Sequence, residues 1–235
     1  MAKLNEKHGA DRDSNFSERI NEFIQKNRMP IFIAAAALFV VLIGVIAALS
    51  LMDVFRNRAV AAVEEFNTRY ETLRPTINEE YSQDDVASFI DELTAFAKKN
   101  SGFPGGRAWM IIGSVYAEKK DWSGAETAYA AAAKSAAKTY LAPLAWFNAG
   151  AAAEEQGKTT EAIEYYGNSL AAQVVFPAAP RAQFSVGRLH ETLNENDKAI
   201  DAYRAVIAGW PYDQVWTNLA RSRIITLESK TAGEN

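Results

Sequence analysis

Cysteine is absent from the 235 residues, which excludes disulfides and thiolate metal sites. That absence is compatible with an oxidising compartment and does not require one. Histidine is nearly absent too, with only His8 and His190. No His-x-x-x-His pair, glycine-rich phosphate loop or GxSxG elbow appears. A basic surplus is also missing. Lys and Arg number 25 against 29 Asp and Glu, a formal charge of −4, whereas a nucleic-acid partner would call for a basic stripe. The acid pairs Glu79 with Glu80, Asp84 with Asp85 and Glu154 with Glu155 read as solvated helix ends or faces. Gly105 with Gly106 reads as an inter-helix turn, and His190 as a packing residue. No catalytic, metal-ligating or cofactor-binding residue is assigned, so an enzyme is not expected.

What is plentiful is apolar surface, 49% of residues, much of it alanine suited to closely packed helices. From Pro30 to Met52 the chain runs 23 residues without a charge. As a helix rising about 1.5 Å per residue, that run covers roughly 30 Å of hydrocarbon. A buried globular helix and a cleaved signal peptide are the alternatives. The tail before it carries five acids and no clean small-x-small site follows, so an uncleaved anchor is preferred. Six Lys or Arg precede the span and four (Arg56, Arg58, Arg69, Arg74) follow it closely. This bias predicts a cytoplasmic N-terminus and, at a bacterial inner membrane, a periplasmic C-terminal part. In the tail, Phe16, Ile20, Phe23 and Ile24 keep helical spacing with Ser14 or Ser17 as caps. Such a helix could lie on the membrane, touch a partner or simply lead into the span.

After the anchor, Ala59, Val63, Phe66, Tyr70, Leu73 and Ile77 form a narrow helical seam that Pro75 should end. The seam could join two chains as a coiled coil, leaving a homo-oligomer open. It could equally pack on the next helix of its own chain, and fewer than three uninterrupted heptads favour that hairpin. The next helix would start at a cap near Ser82 and bury Val86, Phe89, Ile90, Leu93, Phe96 and Ala97. Gly102 with Pro104 should break the chain after it.

Beyond lies a step of 37 residues: Gly113, Gly150 and Gly187; Ala125, Ala162 and Ala199; Tyr129, Tyr166 and Tyr203. Trp109 and Trp146 keep it, with Gln183 in the third copy. A period of this length marks a supersecondary unit stacked on copies of itself. Glycine and alanine suit close helix crossings, and the aromatics are expected to fill the gap left by the next pair. Trp109, Ile112, Gly113 and Tyr116 match the W-x2-L-G-x2-Y signature, so the chain resembles the tetratricopeptide repeat family. A last helix, capped by Asp213, carries Trp216, Leu219, Ala220 and Arg223 at the spacing of another first helix.

The expected fold is therefore all-α: a single N-terminal transmembrane helix followed by a tetratricopeptide-type solenoid of helical hairpins. Its parts are a cytoplasmic tail (1–29), the span (30–52), a degenerate first hairpin (53–104), three repeats (105–212), a capping helix (213–230) and a disordered tail (231–235). In this layout, and in the stretch from Phe96 to Ala125, the chain also resembles the ancillary subunit of the bacterial Sec translocon. That likeness implies a periplasm-facing protein whose partners are translocon, chaperone or envelope-assembly proteins. The resemblance to the repeat family implies docking of proteins or extended peptides on a concave face of first helices. Helical spacing puts Arg107, Met110 and Ser114 there from the first copy. Phe147, Asn148 and Ala151 follow from the second, Arg181, Phe184 and Arg188 from the third, and Arg221 from the last helix. Apolar residues flanked by arginines would suit a peptide with an acidic group. Alternatively Met110 and Phe147 merely pack and the arginines are solvated.

Overall fold

The computed structural model describes residues 18–172 and 176–233, with side chains described through Ser229. Readings that rest on His8, Ser14, Phe16 and Ser17 lie outside the described residues. Among those described, every regular element is helical, and the chain divides into two compact units, Met1–Arg56 and Asn57–Asn235.

The first unit holds a short helix, α1 (18–26), and the start of a long one, α2 (Arg28–Leu73). Asn27 joins them, its backbone N–H and side-chain amide both donating to the Phe23 carbonyl at 3.0 and 2.9 Å. Among the described residues α2 is the one helix long and apolar enough to cross a membrane. Every residue from Pro30 to Met52 is exposed.

In the second unit the last turns of α2 pack on α3 (Gln83–Lys99). Val63 and Tyr70 are buried against Val86, Phe89 and Leu93, and the Phe66 ring lies 6.2 Å from Phe89 and 5.4 Å from Phe96. Arg69 roofs this cluster, its guanidinium 5.5 and 5.1 Å from the Phe66 and Phe89 ring centres while it pairs with Glu92 at 2.6 Å. The seam is thus satisfied within one chain, as a hairpin. The helix stops at Leu73, and Arg74–Thr76 form a 3-10 turn around Pro75. Ser82 precedes α3 but does not cap it. Its hydroxyl donates instead to the carbonyls of Thr76 and Glu79, closing the turn that leads in.

Only two residues separate α3 from α4 (Gly102–Glu118). Gly102 turns the chain at φ +70°, and Pro104 sits in the first helical turn, where a missing N–H costs nothing. Gly105 and Gly106 correct the sequence reading, because they lie inside α4 rather than in a turn. A Cβ on Gly105 would come within 2.0 Å of the Asn100 carbonyl oxygen, and one on Gly106 within 2.4 Å of the Ala136 Cβ. Glycine is needed there so that α4 can start so soon after α3 and still lie against the end of the following helix.

Helices α5 (Trp122–Ser135), α6 (Leu141–Glu155), α7 (Thr159–Leu170), α8 (Ala179–Thr192), α9 (Asn196–Gly209) and α10 (Gln214–Gly233) follow, each packed on its predecessor. The first helices α4 and α6 also touch directly, as do α8 and α10. Ala125, Ala162 and Ala199 are fully buried. A Cβ on Gly113, Gly150 or Gly187 would stand 2.6, 3.0 or 2.7 Å from the ring of Tyr129, Tyr166 or Tyr203. Each tyrosine ring therefore fills the groove of its own helix pair.

The same step also governs helix ends. Lys120, Gly157 and Asn194 adopt φ of 57°, 71° and 58°. The residue after each donates back to Tyr116, Ala153 or His190 at 2.9, 3.0 and 2.9 Å. This left-handed stop satisfies carbonyls that the helix would leave orphaned. Asp213 caps α10 as expected, accepting from the Trp216 N–H at 3.2 Å.

The register of α10 differs from the sequence reading. Fully buried Ala182, 8%-exposed Ser185 and buried Leu189 of α8 find their counterparts in Thr217 (0%), Ala220 (0%) and half-buried Ile224, 35 residues on. Ser222, not Ala220, then occupies the glycine position, and it is exposed. With no proline to stop it, α10 continues past Lys230 to Gly233, where a disordered tail was expected; the last two residues lie outside the description.

Candidate protein-docking face

Most of the residues expected on the face of first helices are engaged within the chain. Arg107 donates to the Asn67 amide oxygen at 2.8 Å. With Met110, Ser114 and Tyr129 it walls a recess of about 340 Å³ closed by Tyr70 and Arg74. Met110 itself is only 6% exposed and belongs to the core between the first and second copies. Ser114 donates to the Met110 carbonyl at 3.0 Å and lies 3.4 Å from the Tyr129 hydroxyl. Asn148 and Ala151 line a second recess of about 250 Å³ with Ala117, Tyr129 and Glu155. Ala117 and Tyr129 border both recesses.

Farther along, Phe147 is 7% exposed between Tyr166 and Phe176, with the Arg181 guanidinium 5.2 Å over its ring. Phe184 packs between Tyr203 and Trp216 at 5.0 and 5.4 Å. Arg188 is held in two bonds to the Glu154 carboxylate at 2.7 and 2.6 Å. Arg221 donates to Asn218 at 3.3 Å within α10. In the observed register it corresponds to Val186, off the line of first-helix face positions.

Sequence reasoning missed the groups that bind the copies together. Glu154 accepts from Tyr166 at 3.2 Å and from Arg188, which comes from the following first helix. Glu191 repeats the arrangement, accepting from the Tyr203 hydroxyl at 2.5 Å and from Arg223 Nε at 3.0 Å, with a second bond to Arg223 Nη2. Burial, and then the neighbouring carboxylate, push the Tyr166 and Tyr203 hydroxyls well above the usual range, so both stay protonated donors. The signal was present in the sequence: Glu154 and Glu191 keep the step of 37 beside their tyrosines.

A second cluster ties the first copy to the second. Glu126 of α5 accepts from Lys158 and Gln156 at 2.8 Å each and from the Tyr165 hydroxyl at 3.1 Å. Burial opposes ionisation of Glu126, but these three donors outweigh it and hold the carboxyl below its ordinary value. Burial and the bond to Glu126 push the Tyr165 hydroxyl up to about 12. His190 is half-buried, and its Nδ1 lies within hydrogen-bond distance, 2.6 Å, of the Glu195 carboxylate at the helix end. Among the described residues no group of three or more His, Asp or Glu is placed to hold a metal ion.

A stack of helix pairs with ion-paired junctions and a recessed face of first helices defines a repeat array of the protein-docking class. The tetratricopeptide repeat family matches residues 78–139, 122–173 and 149–214, and the chain belongs to that family. A "TPR repeat-containing protein" of Treponema pallidum (strain Nichols) is 35% identical over 136 residues, 58% of this chain. The chain spans 56% of that relative's length. Repeats of this family serve generally as non-catalytic scaffolds for protein–protein interaction.

Proposed function

We propose that this chain is a tethered scaffold at a bacterial inner membrane, its repeats on the periplasmic side, holding proteins or extended segments during translocation or envelope assembly. The observation that carries the tether is the uncharged stretch from Pro30 to Met52, exposed at every residue in a helix long enough to span. So much continuous apolar surface is costly in water and favourable in hydrocarbon. The six-to-four bias of Lys and Arg across the span supports the orientation. The likeness of layout to the ancillary translocon subunit supports the setting, and the recesses beside Tyr129 support a docking role.

The test is a pair of reporters fused after Asn235, one active only in the periplasm and one only in the cytoplasm, with alkaline extraction of the membranes. The reading expects periplasmic activity in a fraction that resists extraction. Cytoplasmic activity would remove the translocation setting, and release from the membrane would remove the tether.

A further inference from the structure

Two of the three junctions between successive first helices are closed by the same group, and the third is not. Between the second and third copies, Arg188 meets Glu154 beside the Tyr166 hydroxyl; between the third copy and α10, Arg223 meets Glu191 beside Tyr203. One step of 37 earlier the tyrosine persists as Tyr129, but the glutamate position is Ala117 and the arginine position is Ala151. Deleting two long side chains leaves the recess of about 250 Å³ described above. Tyr129 is 7% exposed, yet among the described residues its hydroxyl reaches only Ser114, at 3.4 Å. The Glu155 carboxylate and the Asn148 amide, both lining the recess, have no side-chain partner among the described residues. Burial raises the Tyr129 hydroxyl above its ordinary value, so it stays protonated and its oxygen remains able to accept.

We propose that this notch receives a basic side chain, arginine or lysine, from an extended segment of the docked protein, which takes the place that the chain's own arginines fill at the other junctions. The inference rests on the scaffold reading and adds to it the chemistry of the guest. The methyls of Ala117, Ala151 and Ala152 and the ring of Tyr129 flank the aliphatic stem, and Glu155 meets the cation at the rim. A carboxylate guest finds less, because Arg107 and Arg188 already hold groups of this chain.

The experiment uses the full chain in nanodiscs and fluorescein-labelled decapeptides of alanine and serine with a single Arg, Lys, Gln or Glu at the central position, read by fluorescence anisotropy. Arg and Lys peptides should bind about tenfold tighter than the Gln peptide. Glu155→Gln should erase that preference, and so should the double substitution Ala117→Glu with Ala151→Arg, which completes the missing ion pair. Glu155 is exposed, so its substitution leaves the fold intact even if the double variant does not fold. Peptides that bind equally well whatever the central residue, or a basic preference that survives Glu155→Gln, overturn the proposal and leave the scaffold standing. Should the parent chain bind none of the peptides, the proposal falls together with the reading of this face as a docking surface.

Discussion

At single positions the structure turns the repeated glycines into a quantitative expectation. Gly113 faces the Tyr129 ring so closely that an added Cβ would lie 2.6 Å away, whereas Gly167 in α7 has nothing within 4 Å. Gly113→Ala should therefore destabilise by about 1–3 kcal/mol through overpacking, while Gly167→Ala gains up to about 1 kcal/mol of helix propensity. Urea unfolding followed by tryptophan fluorescence separates the two. Lys120 carries a side chain into a left-handed conformation that Gly157 adopts freely. Lys120→Gly should stabilise by about 1 kcal/mol in the same assay, and a loss would contradict the helix-stop geometry. Glu126 supplies a pH test. Its carboxyl titrates lower in the fold than in the unfolded chain, so its stabilisation is fully present above the unfolded value, about 4.3. That stabilisation is lost as pH falls through the folded value. The cost of Glu126→Gln should thus be largest near neutrality and fade in acid, and a cost independent of pH would contradict the arrangement.

At the level of helices, the step of 37 was readable because glycine, alanine and tyrosine must recur wherever two helices cross closely. The register of α10 was not readable by that rule. Its step shortens to 35, and Trp216 imitates the signature while its ring packs on Phe184. What locates the register is burial of Thr217, Ala220 and Ile224, a property of neighbours rather than of residue type. Gly105 and Gly106 misled for a related reason: a glycine pair signals a turn unless another backbone already occupies the space. Arg107 and Arg188 could be named from helical spacing, but their engagement by Asn67 and Glu154 depends on partners 34 or more positions away. The first hairpin carries its own test. Phe89 is 1% exposed against the α2 seam, so Phe89→Ala should cost about 3–5 kcal/mol in urea unfolding. The molar mass measured in detergent should not change, because the seam is satisfied inside one chain. A change in mass with little loss of stability would show that the seam joins two chains.

The whole chain joins an apolar helix long enough to span a membrane to an array whose three full copies are not equivalent. Glu–Arg pairs close the later junctions between first helices, whereas at the first junction, tied elsewhere by Lys158 and Glu126, the corresponding place beside Tyr129 is unfilled. The direct measurement is site-specific photo-crosslinking in intact cells, with a photoreactive residue in place of Asn148 at the notch or of Thr127 on the exposed face of α5. Discrete protein adducts, recovered in the membrane fraction, are expected from position 148 and none from position 127. Adducts absent from both positions, or equally abundant at both, would contradict a docking role for the face of first helices.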